Sequence, residues 1–287
     1  MNQKIAFLGL GRMGRELVAH LIEDGLDVTV WNRTSGVAEQ VAATGATLAK
    51  TPADAVRDAD IVLTVLFGPD AIRDVIVDGD LPFAQNATWI DVTTISPTEA
   101  TDFQTWAHEN KLRYAYSPVI GSLGPARQRQ LGVLIGGTED AVAIARPIVS
   151  HWADAARLTT YDAVSKAAAG KLVANVALAV TMQGLIEALR IGHGGGLTAA
   201  EVIERCKDKT ALATIATIKG DTLFSGDYSD TQFSVNALAK DARLMIETAV
   251  DPLPALTAAL SAFLTAQRDG HGEEDFSVIA AHEPGLS

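Results

Sequence analysis

The segment Gly9-Leu10-Gly11-Arg12-Met13-Gly14 holds the residues whose spacing points most directly to chemistry. It follows an apolar run, Lys4-Ile5-Ala6-Phe7-Leu8, and opens an amphipathic one, which predicts a strand, a tight turn and a helix. In that setting Gly9 permits the turn, Gly11 lets a pyrophosphate approach the backbone, and Gly14 lets helix and strand pack closely. The first helical turn presents N–H groups and the positive end of the helix dipole to the phosphates. The whole run from Gly9 to Gly14 is therefore assigned to a dinucleotide, a glycine-rich turn without a ligand being the plain alternative.

A second apolar run, Val28-Thr29-Val30-Trp31, leads into Asn32-Arg33-Thr34. A cofactor with a free ribose 2′-hydroxyl is usually met at this point by an acidic side chain. A carboxylate would repel a 2′-phosphate, whereas guanidinium, amide and hydroxyl groups donate to it. Asn32, Arg33 and Thr34 thus predict NADP(H), with a solvated loop arginine as the alternative for Arg33.

The elements that must position these residues follow from the rhythm of the chain. Ile61-Val62-Leu63-Thr64-Val65 and Trp89-Ile90-Asp91-Val92 add further short β-branched runs, separated by segments of helical spacing. This predicts an α/β fold, with an N-terminal Rossmann doubly wound parallel sheet over residues 1–160. After Tyr161 the strand signals stop. An Ala/Leu-rich segment runs to Ile191 and ends in His193-Gly194-Gly195-Gly196, which predicts a long interdomain helix. Further helices are expected at 198–206, 208–219, 232–249 and 253–267, making residues 161–287 an all-helical substrate and dimerisation domain. Apolar residues recur on more than one face of the long helix, among them Leu172, Val176, Ala179, Val180, Leu185 and Leu189, so a homodimer is expected.

Composition narrows the classes of function. The length of 287 residues suits two domains, and 48% hydrophobic with 20% charged residues suits compact folding. A net charge of -12 argues against nucleic acid as the main partner. A lone cysteine, Cys206, cannot form an intramolecular disulfide, and no export signal precedes the first apolar run, so the chain reads as cytoplasmic. The longest apolar stretch, from about Leu172 to Met182, is interrupted by Asn175 and falls short of the roughly 20 residues that span a bilayer, so no membrane insertion is expected. His20, His108 and His151 share no ligand spacing, His193 reads as a partner of a helix C-terminus, and no metal is expected.

Taken with Asp91-Val92-Thr93-Thr94-Ile95-Ser96-Pro97, Ser117-Pro118-Val119-Ile120-Gly121-Ser122, Lys171 with Asn175, and Lys240-Asp241, the sequence resembles the β-hydroxyacid dehydrogenase family, relatives of 6-phosphogluconate dehydrogenase. The resemblance runs over nearly the whole chain. It implies that Val65, Leu66, Thr94 and Lys240 meet the cofactor, that Ile120, Gly121 and Ser122 line the substrate pocket together with Lys171 and Asn175, and that Lys171 and Asn175 are catalytic. There are departures. Ile120 and Ser122 stand where the family usually has a serine and a second glycine to hold a carboxylate, and Ser165 and Ala167 replace two glycines before the lysine.

Spacing supplies the chemistry. On a helix, Lys171 and Asn175 project from one face about one turn apart and can touch the same substrate. Reduction of a carbonyl needs a hydride at carbon and a proton at oxygen, and an ammonium held at that oxygen polarises it and donates. From spacing alone, a lysine snorkelling from an apolar helix and an asparagine at a helix contact are the simpler readings, and the resemblance turns both towards catalysis. Thr94 stands either at a cofactor or as the cap of a helix starting at Pro97. Lys240 reads either as a contact to cofactor or substrate or as an exposed helix lysine, and Lys166 as a surface residue. The expected function is NADP-dependent interconversion of a hydroxy compound, such as a β-hydroxyacid, and its carbonyl. An NADPH-dependent imine reductase is the alternative, which the ending Gly270-His271-Gly272-Glu273-Glu274-Asp275 also resembles, and a non-catalytic NADP-binding module is a third.

Overall fold

A computed structural model describes residues 3–286. The chain divides into two compact units, Met1–Lys171 and Leu172–Ser287. The first begins with the alternation β1 (Lys4–Leu8), α1 (Arg12–Glu23), β2 (Asp27–Trp31), α2 (Ser35–Ala42), β3 (Thr47–Leu48), α3 (Pro52–Val56), β4 (Ile61–Thr64) and α4 (Pro69–Ile72). After a π-helical turn at Arg73–Val77 come β5 (Thr88–Asp91), α5 (Pro97–Glu109), β6 (Arg113–Tyr116), β7 (Val119–Ile120), α6 (Leu123–Arg127), β8 (Leu131–Gly137), α7 (Glu139–Val149) and β9 (Ala153–Tyr161).

The sheet runs in the order β3-β2-β1-β4-β5-β6-β8-β7, with β9 paired to β8. From β3 through β6 every pairing is parallel. Alternate residues explain why both faces are covered. Ile5, Phe7, Val30 and Leu63 pack with Leu17 and Leu21 of α1, while Ala6, Leu8, Val62 and Trp89 pack on the other side with Val56 and Phe103. The runs quoted from the sequence are continuous rather than alternating in hydrophobicity for this reason. Strands β6 to β9 were not among those runs. β6 and β9 carry polar residues, β7 has only two residues and β8, Leu131–Gly137, is interrupted by glycine; β8 pairs antiparallel with β6 and β7 and parallel with β9.

The order reverses at β1. The chain moves outward through β2 and β3, then returns to place β4 on the other side of β1, and doubly wound sheets bind ligands at the carboxyl ends of strands flanking such a reversal.

The helix α8 (Val164–Gly194) starts in the first unit and carries the chain into the second. Its length and apolar composition suffice to cross a bilayer, which the shorter stretch counted from sequence understated, because Asn175, Thr181 and Gln183 interrupt hydrophobicity without interrupting the helix. Leu172, Ala179, Met182, Leu185, Ile186 and Leu189 of α8 lie in the core of the second unit. That core is completed by α9 (Ala199–Lys207), α10 (Ala213–Ser225), α11 (Val235–Thr248), α12 (Pro254–Arg268) and a 3-10 turn at Phe276–Ala280. The helix expected at 208–219 starts later, at Ala213, because Lys209 takes a positive φ of 57° and the Thr210 hydroxyl accepts the Leu212 N–H, forming a turn in place of a helical start.

Candidate active site

The glycine loop has the geometry its residue types require. Gly9 holds a φ of +102°, and a Cβ there would lie 2.4 Å from the Val65 carbonyl oxygen, so the loop is seated against the end of β4. A Cβ on Gly14 would lie 2.1 Å from the Gly9 carbonyl oxygen, whereas a Cβ on Gly11 would meet nothing within 4 Å. The loop is closed on the protein side and open on the other. Gly11 caps α1 without a side-chain bond, and no acidic residue stands in the first turn, so no carboxylate there offsets the positive end of the helix dipole. These residues fit the pyrophosphate of a dinucleotide.

Asn32 acquires a task the sequence did not reveal. Its Oδ1 accepts the Leu10 N–H at 2.9 Å, and its Nδ2 donates to the Thr34 carbonyl at 3.1 Å. The side chain therefore braces the glycine loop against the turn after β2. Arg33 and Thr34 beside it are exposed.

Val65 and Leu66 follow β4, and a Cβ on Gly9 would also lie 2.9 Å from Leu66 Cδ2. The Leu66 N–H donates to Thr93 Oγ1 at 2.9 Å, joining the loops after β4 and β5. Beneath them Asp91, fully buried at the end of β5, accepts from Thr64 Oγ1 at 2.7 Å, the Thr93 N–H at 3.0 Å and Tyr114 Oη at 3.3 Å. Thr94 is half-buried in this loop. Ser96 caps α5, in a capping box with Glu99, so the capping alternative for Thr94 is set aside.

Ile120 ends β7 and lies over Gly132, where a Cβ would come 3.3 Å from its own Cβ. Gly121 has a φ of +135°, and Ser122 precedes α6 without a side-chain bond to it. The turn thus keeps the backbone freedom of a glycine, with Ile120 adding apolar surface beside it.

On α8, Lys171 and Asn175 are each 8% exposed, so neither is a polar residue reaching for bulk water. Lys166, by contrast, pairs with Asp162 on the surface. In the second unit Asn175 Nδ2 donates to Asp241 Oδ2 at 2.6 Å, and Lys240 Nζ to Asp241 Oδ1 at 2.5 Å. The Asp241 carboxylate, 2% exposed, thus orients an amide and an ammonium together. Of the predicted site residues, the first unit carries all except Asn175 and Lys240. Asp91, Thr93 and Asp241, which hydrogen-bond within these loops and to Asn175, were not among the candidate site residues. Asp241 stood beside Lys240 in the sequence, and nothing there marks which of two adjacent polar residues turns inward. Among the described residues no group of three or more His, Cys, Asp or Glu converges in a way that could hold a metal ion.

A glycine cradle at the reversal of a doubly wound sheet defines the first unit as a dinucleotide-binding one. The family model of the NAD binding domain of 6-phosphogluconate dehydrogenase matches residues 4–176, and that described as NAD-binding of NADP-dependent 3-hydroxyisobutyrate dehydrogenase matches residues 165–282. The chain belongs to the β-hydroxyacid dehydrogenase family. It is 29% identical over 290 residues to the NAD-dependent L-serine dehydrogenase of Pseudomonas aeruginosa, covering 96% of each chain. The solved 3-hydroxyisobutyrate dehydrogenase of Mycobacterium tuberculosis with L-serine matches with a TM-score of 0.84 and 25% identity, over 98% of each chain. An imine reductase from Myxococcus stipitatus in complex with NAD+ matches with a TM-score of 0.67 and 21% identity over 97% of this chain and 98% of its own, which is a likeness of fold.

Proposed function

We propose that the protein interconverts a hydroxy compound, a β-hydroxyacid or a relative of one, and its carbonyl, using NADP(H) and Lys171 as general acid and base. The observation that carries this reading is the burial of Lys171 and Asn175 one turn apart on α8. Away from bulk water an ammonium acts more strongly on a bound oxygen than it would at an exposed site. When bound, the nicotinamide cofactor supplies or takes the hydride at the substrate carbon. The Lys171 ammonium donates a proton to the carbonyl oxygen as it gains charge, and in the reverse direction the neutral amine removes the hydroxyl proton. Asn175, held by Asp241, fixes one edge of the substrate.

The preference for NADP rests on Arg33 and Thr34, which are exposed at the end of β2 where an acidic residue would mark NAD. Asn32 contributes by holding the turn rather than mainly by donating to the phosphate. The natural partners of this site are small molecules. Assembly as a homodimer is supported by Val173 and Ile191, which are 69% and 77% exposed and lie about five turns apart on one face of α8.

Imine reduction is favoured by one observation, Ile120 in place of a hydroxyl at the substrate segment. The deciding experiment follows reduced nicotinamide by absorbance, with NADP and a panel of hydroxy acids, and with NADPH and aldehydes or cyclic imines. Turnover of hydroxy acids and aldehydes that exceeds imine turnover is expected, with Ile120→Ser shifting preference towards short acids. Turnover confined to imines would transfer the protein to the second reading.

A further inference from the structure

We propose that Asp91 is a positioning residue whose negative charge holds the loops after β4 and β5 in register for the nicotinamide end of the cofactor. This rests on the reading of those loops as cofactor-binding, and it goes beyond that reading by assigning control of them to a buried group that touches no ligand.

The direction of every hydrogen bond around Asp91 is the starting point. Trp89 Nε1 donates to Thr64 Oγ1 at 2.8 Å, so the Thr64 hydroxyl proton is committed to Asp91 Oδ1 at 2.7 Å. The Thr93 N–H donates to the same oxygen at 3.0 Å, and the Tyr114 hydroxyl faces Oδ2 at 3.3 Å. An ionised carboxylate receives all three at once with no proton of its own to place, whereas a protonated one must point a donor at one of its neighbours. The groups facing it are therefore Thr64 from β4, Trp89 behind Thr64, Thr93 from the following loop, and Tyr114 from β6 with Tyr116 beyond it. Tyr116 is itself tied to this loop, since its hydroxyl donates to the Thr93 carbonyl at 3.0 Å and receives the Ile95 N–H at 3.4 Å.

From Asp91 the network leads upward. Thr93, fixed by the carboxylate through its N–H, accepts the Leu66 N–H on its hydroxyl at 2.9 Å. Leu66 and Thr94 are two of the residues assigned to the cofactor, and each lies one bond or one residue from Thr93. Protonation of Asp91 places a donor against the Tyr114 hydroxyl, which must then turn its own proton away. It also reduces a charge-assisted bond to the Thr93 N–H to a neutral one of about half the strength. The register of both loops is loosened without any change of core packing.

Burial raises the Asp91 carboxyl from its ordinary 3.8 to about 6, against the opposing effect of its hydrogen bonds to Thr64, Thr93 and Tyr114. Burial also pushes the Tyr114 hydroxyl well above its usual value, with the Asp91 charge adding to the shift, so Tyr114 stays protonated throughout. The sign follows. A carboxyl whose folded value exceeds its unfolded one penalises the fold at neutral pH, and the penalty fades as pH falls through about 6 towards 3.8. Charge at this position costs stability and serves the geometry of the loops.

The test uses Asp91→Asn, which keeps the shape and mimics the protonated acid. Calorimetric titration of wild type and variant with NADP+ and, in parallel, NAD+ is run from pH 5 to pH 8. The 2′-phosphate of NADP+ titrates near pH 6, as phosphate monoesters do, but it contributes equally to both proteins, and NAD+ lacks it. At pH 8 the variant is expected to bind about tenfold more weakly, the net worth of one hydrogen bond, and the gap closes towards pH 5 as wild type becomes protonated. The free variant is expected to melt no lower than wild type at pH 8. Thr93→Val weakens binding at every pH, and Thr93→Ser restores it. A gap that is absent at pH 8 or constant across pH, or a variant that melts well below wild type there, would overturn the role of Asp91. Wild type binding neither nucleotide at any pH would instead overturn the cofactor reading beneath it.

Discussion

The glycine loop of the first unit and the Asn175–Asp241–Lys240 cluster of the second meet opposite demands. The loop works by what its residues lack. A Cβ on Gly9 or Gly14 would collide with backbone, and Gly11 leaves open space where a phosphate can approach amide groups. The cluster works by what its side chains carry, and its geometry depends on one buried carboxylate that receives an amide from α8 and an ammonium from α11. A constant group such as pyrophosphate suits rigid backbone, while a variable substrate calls for side chains that are oriented individually. Damage to the loop should therefore appear first in cofactor affinity, and damage to Lys171, Asn175 and Asp241 first in turnover.

The largest effect is expected at Lys171. Lys171→Ala or Lys171→Met should reduce turnover by roughly 10²–10⁴-fold with cofactor affinity nearly retained, as measured by steady-state kinetics and by binding titration. Near-normal turnover would move the chemistry elsewhere and break the contrast at its strongest point.

Asp241→Ala should come next. It leaves the Asn175 amide and the Lys240 ammonium without the carboxylate that orients them. A destabilisation of about 3 kcal/mol is expected, the lower end for a broken buried pair because the Lys240 side chain, 19% exposed, can still reach water. Turnover should fall more steeply than affinity for cofactor. Equal losses in the two would mean that the cluster is only a fold element, as chemical denaturation and kinetics together would reveal.

Arg33→Ala tests the nucleotide side. Loss of a bond to a charged phosphate is worth about 1.5–3 kcal/mol and should weaken NADP while leaving NAD untouched. Equal or tighter binding of NAD by the wild type would reverse the assignment of cofactor.

The finest test lies within the glycine loop itself. Gly14→Ala forces a Cβ to within 2.1 Å of a backbone oxygen, and should destabilise the protein by about 1–3 kcal/mol as overpacking does. Gly11→Ala meets nothing within 4 Å, so it should melt with the wild type and lose only affinity for the cofactor. Thermal melts paired with titrations separate the two, and a Gly11→Ala protein with unchanged affinity would remove the pyrophosphate from this loop.

The sequence was sufficient by itself for the βαβ rhythm, the glycine loop, the long helix and the placing of Lys171 and Asn175 on one helix face, because each depends on short-range spacing: period two in strands, 3.6 in helices, fixed offsets in a turn. It was not sufficient where partners come from distant segments. Strands β6 to β9, the brace from Asn32 to Leu10, the hub of Asp91 under Thr93 and the grip of Asp241 on Asn175 are such cases. In the sequence Asp91 is one polar residue inside an apolar run, and only the arrival of Thr64, Thr93 and Tyr114 from three other places turns it into an acceptor that organises two loops. Asp241 likewise is one of two adjacent polar residues on α11, and which of the two is buried depends on the face that α11 turns to its neighbours. Local periodicity is written in the order of residues. The environment of a buried polar group is written in contacts across the chain, and these exist only once the tertiary structure has formed.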